Sequence, residues 1–208
     1  MAVGLAYACV HGEDAAPAAG QKQRIVVLGD SITAGYGLAK DQAYPAILQR
    51  KIDEIGMNYQ VANSGVSGDT TAGGLRRVDW AMGPGAAVLI IALGGNDGLR
   101  GLAPEQTYQN LAGIIDHARK KNPQVSIIVA GMQMPANLGQ DYTQKFAAVY
   151  PRIAEEKHVL LVPFLLQNVG GIASLNQDDQ IHPNVEGQKK VAENVWAVLK
   201  EVLEAGKR

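Results

Sequence analysis

The feature that most restricts the fold of this chain is its alternation of short, continuous apolar runs with longer amphipathic segments. Apolar runs without polar alternation are typical of parallel strands covered on both faces. Five such runs predict β-strands at Arg24–Leu28, Tyr59–Asn63, Ala87–Leu93, Val125–Met132 and Val159–Pro163. Helical patterns lie between and after them, at Tyr44–Ile55, Thr71–Met82, Pro104–Lys121, Gln140–Lys157 and from Asn184 to about Ala205.

These repeated β–α units predict an α/β protein: a three-layer α/β/α sandwich around a five-stranded parallel sheet, in flavodoxin-like strand order. The chain has 208 residues, which is enough for one domain with a full core. We place that single domain at residues 21–208 and treat residues 1–20 as an N-terminal extension. The extension combines a short apolar run with an Ala/Pro/Gly-rich stretch, so a signal-peptide remnant and a poorly structured tail both fit. The first interpretation predicts a periplasmic or secreted protein, whereas the second is compatible with the cytoplasm.

The composition narrows the range of partners. A formal net charge of −1 gives no electrostatic reason to expect binding to nucleic acid or to an anionic membrane surface. No apolar stretch is long enough to span a bilayer. The single cysteine, Cys9, rules out an internal disulfide and a Cys-rich metal site. The composition thus gives no reason to expect nucleic acid or a membrane as partner, and the sequence leaves the oligomeric state open.

A serine stands at the end of the first predicted strand. Ser31 follows the apolar run that ends at Leu28, so it lies at the carboxyl edge of the predicted sheet. In open α/β sheets the loops at this edge converge over a crevice where active sites form. A serine in this position is a candidate nucleophile if the chain also supplies a base, an orienting carboxylate and an oxyanion hole.

The candidate base is His182, which stands in a short loop ahead of the last predicted helix. Pro183 biases it toward an extended conformation, which fixes the imidazole outside the helix. Asp179 precedes it by three residues, so one turn of chain can bring the carboxylate to one ring nitrogen and leave the other for Ser31. Asp178 is a competing orienter, although the spacing favours Asp179. A purely structural loop that caps the helix also fits this pattern.

Candidate oxyanion donors follow the second and third predicted strands. Gly65 and Gly68 stand after the second strand, and glycine allows a backbone N–H to approach a ligand closely. Asn96 follows the third strand and carries a neutral amide donor. Plain turns explain each segment equally well when it is taken alone. Together with the serine and the histidine, however, these segments fill every role in nucleophilic acyl transfer.

These residues resemble the four signature blocks of the GDSL or SGNH hydrolase superfamily, from about Arg24 to the C-terminus. The blocks are Gly29-Asp30-Ser31, Gly68, Gly94-Gly95-Asn96-Asp97 and Asp179-x-x-His182-Pro183-Asn184. The resemblance implies the roles of nucleophile, base and orienter for Ser31, His182 and Asp179. It also implies oxyanion donation by the Ser31 and Gly68 backbone N–H groups and the Asn96 amide, without a metal or a cofactor. Ile32 replaces the leucine of the first block, and register with the Ser-Gly-Asp-Thr run favours Gly68 over Gly65.

Within that superfamily, Gly94–Leu102 and Met134–Asn137 resemble the bacterial multifunctional thioesterase, lysophospholipase and arylesterase group. The group has a mobile flap after the Asn, beside the acyl site, and glycines 98 and 101 fit such motion. The predicted substrate-contacting residues are Asp30, Leu99, Leu102, Met132, Met134 and Pro135. The alternative for the two methionines is that they fill space in the core.

The sequence therefore predicts a serine esterase that hydrolyses carboxylic esters or thioesters through an acyl-enzyme. Its expected partner is a small-molecule acyl ester or thioester substrate. A carbohydrate O-acetyl esterase uses the same constellation with a more polar groove, and the apolar flap residues favour the first interpretation. A phosphate- or nucleotide-binding module is a remote alternative, with Gly29–Gly37 as its anion loop. That loop lacks both the phosphate-loop and the dinucleotide glycine patterns. The absence of Gly-x-Ser-x-Gly around Ser31 argues against an α/β-hydrolase nucleophile elbow.

Overall fold

The computed structural model describes residues 22–206, and its centre is a five-stranded sheet in which every pairing is parallel. The strands are β1 (Gln23–Gly29), β2 (Tyr59–Gly65), β3 (Val88–Ala92), β4 (Ser126–Ala130) and β5 (Leu160–Val162). Their order is β2-β1-β3-β4-β5, which confirms the predicted flavodoxin-like arrangement. The predictions for residues 1–20, including the periplasmic or secreted location, fall outside the described residues.

Seven α-helices accompany the sheet within residues 22–206. They are α1 (Ser31–Ala34), α2 (Tyr44–Glu54), α3 (Thr71–Met82), α4 (Gly95–Leu99), α5 (Pro104–Lys121), α6 (Gln140–Glu156) and α7 (Val185–Ala205). Short 3-10 turns lie at Lys40–Gln42, Ala136–Leu138 and Ala173–Leu175. Helix α2 packs against α7, whereas α5 packs against α3 and α6. In this part of the chain, no helix has both the length and the apolarity needed to cross a membrane.

Two inner strands of the sheet, β1 and β3, contribute a fully buried part of the core. Ile25–Leu28 of β1 are completely buried, and every residue of β3 is at most 2% exposed. Burying one such aliphatic side chain contributes about 1.5–3 kcal/mol, so these strands hold the sheet together. In the pairing register, Gly29 is level with both Gly65 and Ala92. The loops that follow β1, β2 and β3 therefore leave the sheet at the same height and along the same edge.

The last helix is tied to the first loop by a buried glutamine. The side chain of Gln188 accepts a hydrogen bond from the Tyr44 N–H at 2.8 Å and donates one to the Ile32 carbonyl at 3.0 Å. At the start of the same helix, Asn184 accepts from the Gly187 N–H at 3.0 Å and so caps the helix N-terminus. These contacts bring the loop that precedes α7 to the carboxyl edge of the sheet.

Candidate active site

Ser31 is the first residue of α1, directly beyond the end of β1. The Asp30 side chain caps this short helix by accepting the Ile32 N–H at 3.0 Å. A Cβ at position 29 would lie 1.9 Å from the Thr33 hydroxyl, so only glycine allows so sharp a turn from strand to helix. The turn presents a half-buried serine at a helix N-terminus, at the edge where the sequence placed it.

Ser31, His182 and Asp179 form a continuous hydrogen-bonded chain. The distance from Ser31 Oγ to His182 Nε2 is 2.9 Å, and that from His182 Nδ1 to Asp179 Oδ2 is 2.6 Å. Asp179 Oδ1 also accepts the backbone N–H groups of His182 and Ile181, both at 2.9 Å. Among the described residues, no hydrogen bond joins Asp178 to the imidazole.

These contacts determine where the protons lie in the hydrogen-bonded series of Ser31, His182 and Asp179. Bonds from the His182 N–H, the His182 ring and the Ile181 N–H lower the pKa of Asp179 to about 2. The carboxylate is therefore ionised near neutral pH and accepts the proton at His182 Nδ1. Nε2 is then left as the acceptor for the Ser31 hydroxyl.

Two residues that the sequence reasoning missed connect the histidine loop to the nucleophile loop. The backbone N–H of Gln177 donates to the His182 carbonyl at 2.8 Å, and its side-chain amide donates to the Tyr36 carbonyl at 2.7 Å. The Tyr36 ring lies against the imidazole, with the ring centroids 4.6 Å apart. Nothing in the local sequence pattern marks these residues, because Gln177 and Tyr36 are 141 positions apart.

The two candidate glycines after β2 differ in the state of their N–H groups. The Gly65 N–H is engaged, since it donates to the Asn63 side chain at 2.9 Å. Gly68 has φ +80°, a conformation that glycine adopts without strain. Within residues 22–206, neither the Gly68 nor the Ser31 N–H has a protein acceptor. Both N–H groups are thus free to donate to a ligand.

The Asn96 amide is held beside the Gly68 loop. Asn96 lies in α4, and its Nδ2 donates to the Asp69 carbonyl at 2.9 Å. A primary amide has two N–H donors, so one remains for a ligand. The next residue, Asp97, is buried and accepts from the Thr71 N–H at 2.9 Å and from the Thr71 hydroxyl. Asp97 thereby fastens α4 to the start of α3.

The six predicted substrate-contacting residues divide by exposure. Leu99 is 48% exposed, Leu102 is half-buried and Pro135 is exposed. Met132 is only 5% exposed and packs in the hydrophobic core. This agrees with the alternative that the methionines fill space in the core. Met134 is half-buried and packs so closely on Gly98 that a Cβ there would lie 2.1 Å from its sulfur.

Asp30 is also poorly placed to contact a substrate. It is 3% exposed, and its carboxylate is used to cap α1. Burial raises its pKa to about 6, although the Ile32 N–H and the nearby His182 act in the opposite direction. We therefore assign Asp30 to the support of the nucleophile turn, and Met132 to the core, rather than to substrate contact.

Comparison with known proteins identifies the family. The GDSL-like Lipase/Acylhydrolase family model matches residues 27–190. The chain belongs to this family. This GDSL-family hydrolase is 43% identical over 182 residues to Esterase TesA of Pseudomonas aeruginosa, covering 87% of this chain and 90% of that protein. It is 36% identical over 170 residues to thioesterase 1/protease 1/lysophospholipase L1 of Escherichia coli strain K12, covering 81% of this chain and 79% of that protein.

Solved structures agree with this assignment. The crystal structure of TesA matches the GDSL-family hydrolase with a TM-score of 0.83 at 42% identity, covering 86% of this chain and 99% of that one. The predicted superfamily and the predicted α/β/α fold are both confirmed. The chain is thus an SGNH-type carboxylic ester hydrolase.

Proposed function

We propose that this GDSL-family hydrolase cleaves acyl esters and thioesters through an acyl-enzyme on Ser31, with His182 as general base and Asp179 as its orienter. The observation that carries the proposal is the relay from Ser31 Oγ through both nitrogens of His182 to Asp179, with distances of 2.9 and 2.6 Å. A nucleophile, a base and a third orienting group within hydrogen-bond reach are the geometric requirements for this chemistry.

In the acylation step, Ser31 Oγ attacks the acyl carbonyl carbon while its proton passes to His182 Nε2. The Asp179 carboxylate stabilises the imidazolium that forms. The carbonyl oxygen becomes an oxyanion that accepts hydrogen bonds from the Ser31 and Gly68 N–H groups and from the second N–H of Asn96. Each donor of this kind typically stabilises the transition state by roughly 2.7–4 kcal/mol.

The tetrahedral intermediate then collapses. The bond to the leaving alcohol or thiol breaks, and His182 Nε2 returns its proton to that leaving group. A water molecule repeats the sequence on the acyl-enzyme, with His182 again as base, and releases the carboxylic acid and free Ser31.

The surroundings of the Gly68 loop favour an acyl chain as the substrate group. Arg100, at the end of α4, donates to the Gly68 carbonyl at 2.9 Å, so the segment after Asn96 lies against the proposed oxyanion hole. Its neighbour Leu99 is exposed, and Leu102 is half-buried close by in the chain. Exposed apolar side chains beside a site fit a hydrocarbon chain better than a polar sugar.

A fluorophosphonate probe tests the mechanism. We expect mass spectrometry to find the phosphonyl adduct on Ser31, and we expect His182→Ala to abolish labelling. His117→Ala is the matched control, because His117 is an exposed histidine whose ring contacts Asp79 rather than a residue of the site. Adduct formation on another residue, or full esterase activity in Ser31→Ala, would overturn the proposal.

A substrate series tests the acyl preference separately. p-Nitrophenyl esters of increasing chain length, acyl-CoA thioesters and acetylated sugars are compared as substrates at matched concentrations. Activity on the first two classes supports the proposed substrate. Activity confined to acetylated sugars would contradict it and would favour the carbohydrate esterase alternative.

A further inference from the structure

A single guanidinium lies where the loops after β1 and β2 meet. Arg77, on α3, donates from Nε to Asp69 Oδ2 at 2.7 Å, from one Nη to the Ser64 carbonyl at 2.8 Å and from the other to the Gly29 carbonyl at 2.9 Å. The side chains of Arg77 and Asp69 are only 18% and 11% exposed. Three nitrogens of one planar group thus engage three separate points of the backbone and loops.

The acceptors of this guanidinium stand directly beside the proposed oxyanion donors. Gly29 is two residues before Ser31, and Asp69 immediately follows Gly68. The backbone carbonyl of Asp69 also accepts the hydrogen bond from Asn96 Nδ2 at 2.9 Å. Each of the three donors is therefore within one or two residues, or one hydrogen bond, of a residue that accepts a hydrogen bond from Arg77.

The fold makes room for this arrangement. A Cβ at position 73 would lie 1.6 Å from Asp69 Oδ1, so a glycine on the first turn of α3 is required for the carboxylate to sit there. The same Oδ1 accepts the Thr70 N–H at 3.1 Å, which leaves Oδ2 for Arg77. Arginine suits the position because its donors form a rigid fork, whereas lysine is a point charge on a flexible stem.

We propose that Arg77 is a positioning residue for the oxyanion hole. It fixes the Gly68 loop against the Ser31 turn and, through Asp69, against Asn96, while each of its three guanidinium nitrogens donates to a protein acceptor. This inference rests on the proposed function, because it assigns Arg77 to the hole that Ser31 chemistry requires. Small displacements of pre-organised donors weaken transition-state binding while leaving ground-state binding almost unchanged.

The test compares Arg77→Lys and Arg77→Met with Arg76→Met. Arg76 is the exposed preceding residue on the same helix, so its variant controls for charge and helix position. Removing one oxyanion donor typically costs about 100- to 1,000-fold in rate, and we expect misplaced donors to cost about 10- to 100-fold in kcat/KM in Arg77→Lys. Arg76→Met is expected to remain within about twofold of the parent, as surface substitutions usually do.

A second readout separates positioning from general damage. A trifluoromethyl ketone with a short acyl chain forms a hemiketal oxyanion on the nucleophile, and its affinity should fall by the same factor as kcat/KM. The matching ether, which has no carbonyl, should bind Arg77→Lys and the parent equally. Urea denaturation of each variant confirms that the compared proteins are folded, and Arg77→Lys decides the question if Arg77→Met does not fold.

A double-mutant cycle with Asn96→Ala completes the experiment. If Arg77 acts through the hole, the two losses are less than multiplicative, because the residues act on one unit. Multiplicative losses, or parental kcat/KM and ketone affinity in Arg77→Lys, would overturn the inference. Ser31→Ala in the same assay keeps the two proposals apart. An active Ser31→Ala overturns the proposed function and this inference with it, whereas an inactive Ser31→Ala beside a fully active Arg77→Lys overturns the inference alone.

Discussion

Exchanging Asp179 for asparagine is expected to remove most of the activity without unfolding the loop. The asparagine Oδ1 can still accept the His182 and Ile181 N–H groups, which lie 2.9 Å from the present carboxylate oxygen. Its Nδ2–H₂ then faces His182 Nδ1, at the position where the carboxylate oxygen now lies 2.6 Å away. Two donors cannot face each other, so the ring must accept at Nδ1 and carry its proton at Nε2. That tautomer cannot take the proton of Ser31.

The magnitude follows from this change of tautomer. The aspartate-to-asparagine exchange in the serine protease triad lowers kcat about 10⁴-fold, which is the benchmark for a wrong tautomer with intact geometry. At about 1.36 kcal/mol per factor of ten, the barrier rises by about 5.4 kcal/mol. The measurement is kcat/KM for p-nitrophenyl butyrate in Asp179→Asn, with the exposed neighbour exchanged in Asp178→Asn as control. A loss below tenfold in Asp179→Asn, or an equal loss in both variants, would refute the reasoning.

Three further substitutions test the supports of the site. Gln188→Met leaves the Tyr44 N–H and the Ile32 carbonyl without their buried partner, at about 1–3 kcal/mol each, so urea denaturation should show a loss of about 2–6 kcal/mol. Burial raises the pKa of Asp30 to about 6. The stability that the protonated Asp30 contributes is therefore fully present below the pKa of this group in the unfolded chain, and it is lost as the pH rises through about 6. Relative to the parent, the unfolding free energy of Asp30→Asn should therefore rise by roughly 1 kcal/mol between pH 5 and pH 8. Gly94→Ala combines φ +115° with a Cβ only 2.0 Å from a buried tyrosine hydroxyl, so it should lose both stability and activity by urea denaturation and ester assay.

Matched controls make these three outcomes decisive. Lys190→Met changes an exposed neighbour of Gln188 and should leave the unfolding free energy within about 0.5 kcal/mol of the parent. Gly56→Ala places alanine at a positive φ of 64° with nothing within 4 Å of its Cβ, so it shows the cost of a left-handed alanine without a steric clash. Equal losses at Gly94 and Gly56, a pH-independent Asp30→Asn, or a neutral Gln188→Met would contradict the corresponding prediction.

Long periodic segments of the fold were predictable from the sequence. Helix α5 begins at Pro104 and ends at Lys121, as predicted, because proline suits a first turn and Asn122-Pro123 stops a helix. The very short helices α1 and α4 were missed, since four or five residues are too few to show a period. Strand β4 ends at Ala130 rather than Met132. The Pro163 carbonyl approaches Gly131 so closely that a Cβ there would lie 2.2 Å away, and chain approaches of this kind leave no mark on hydropathy.

At the candidate site, the sequence was enough to pick out the residues with catalytic side chains, but not the long-range hydrogen bonds that support them. Ser31, His182 and Asp179 were recognisable because their roles demand particular side chains beside strand and helix ends. Arg77 and Gln188 were not, because an arginine or glutamine on a helix is ordinarily a solvated residue. Their partners lie 48 and 156 positions away, and only the completed fold brings them together.

The hydrogen bonds of Gln188, which join α7 to the nucleophile turn, also bear on when activity arises during folding. Ser31 and His182 are 151 positions apart, and the hydrogen bond from Gln188 to the Ile32 carbonyl ties the helix after the histidine loop to the serine turn. The entropic cost of closing so large a loop grows only slowly with its length, but contacts between residues so far apart in sequence form slowly. Because the catalytic contact needs α7 in place, ester hydrolysis is expected to report the docking of this helix. In a refolding experiment it should return after the far-ultraviolet signal of the sheet and helices, and a nascent chain should stay inactive until its final helix has emerged.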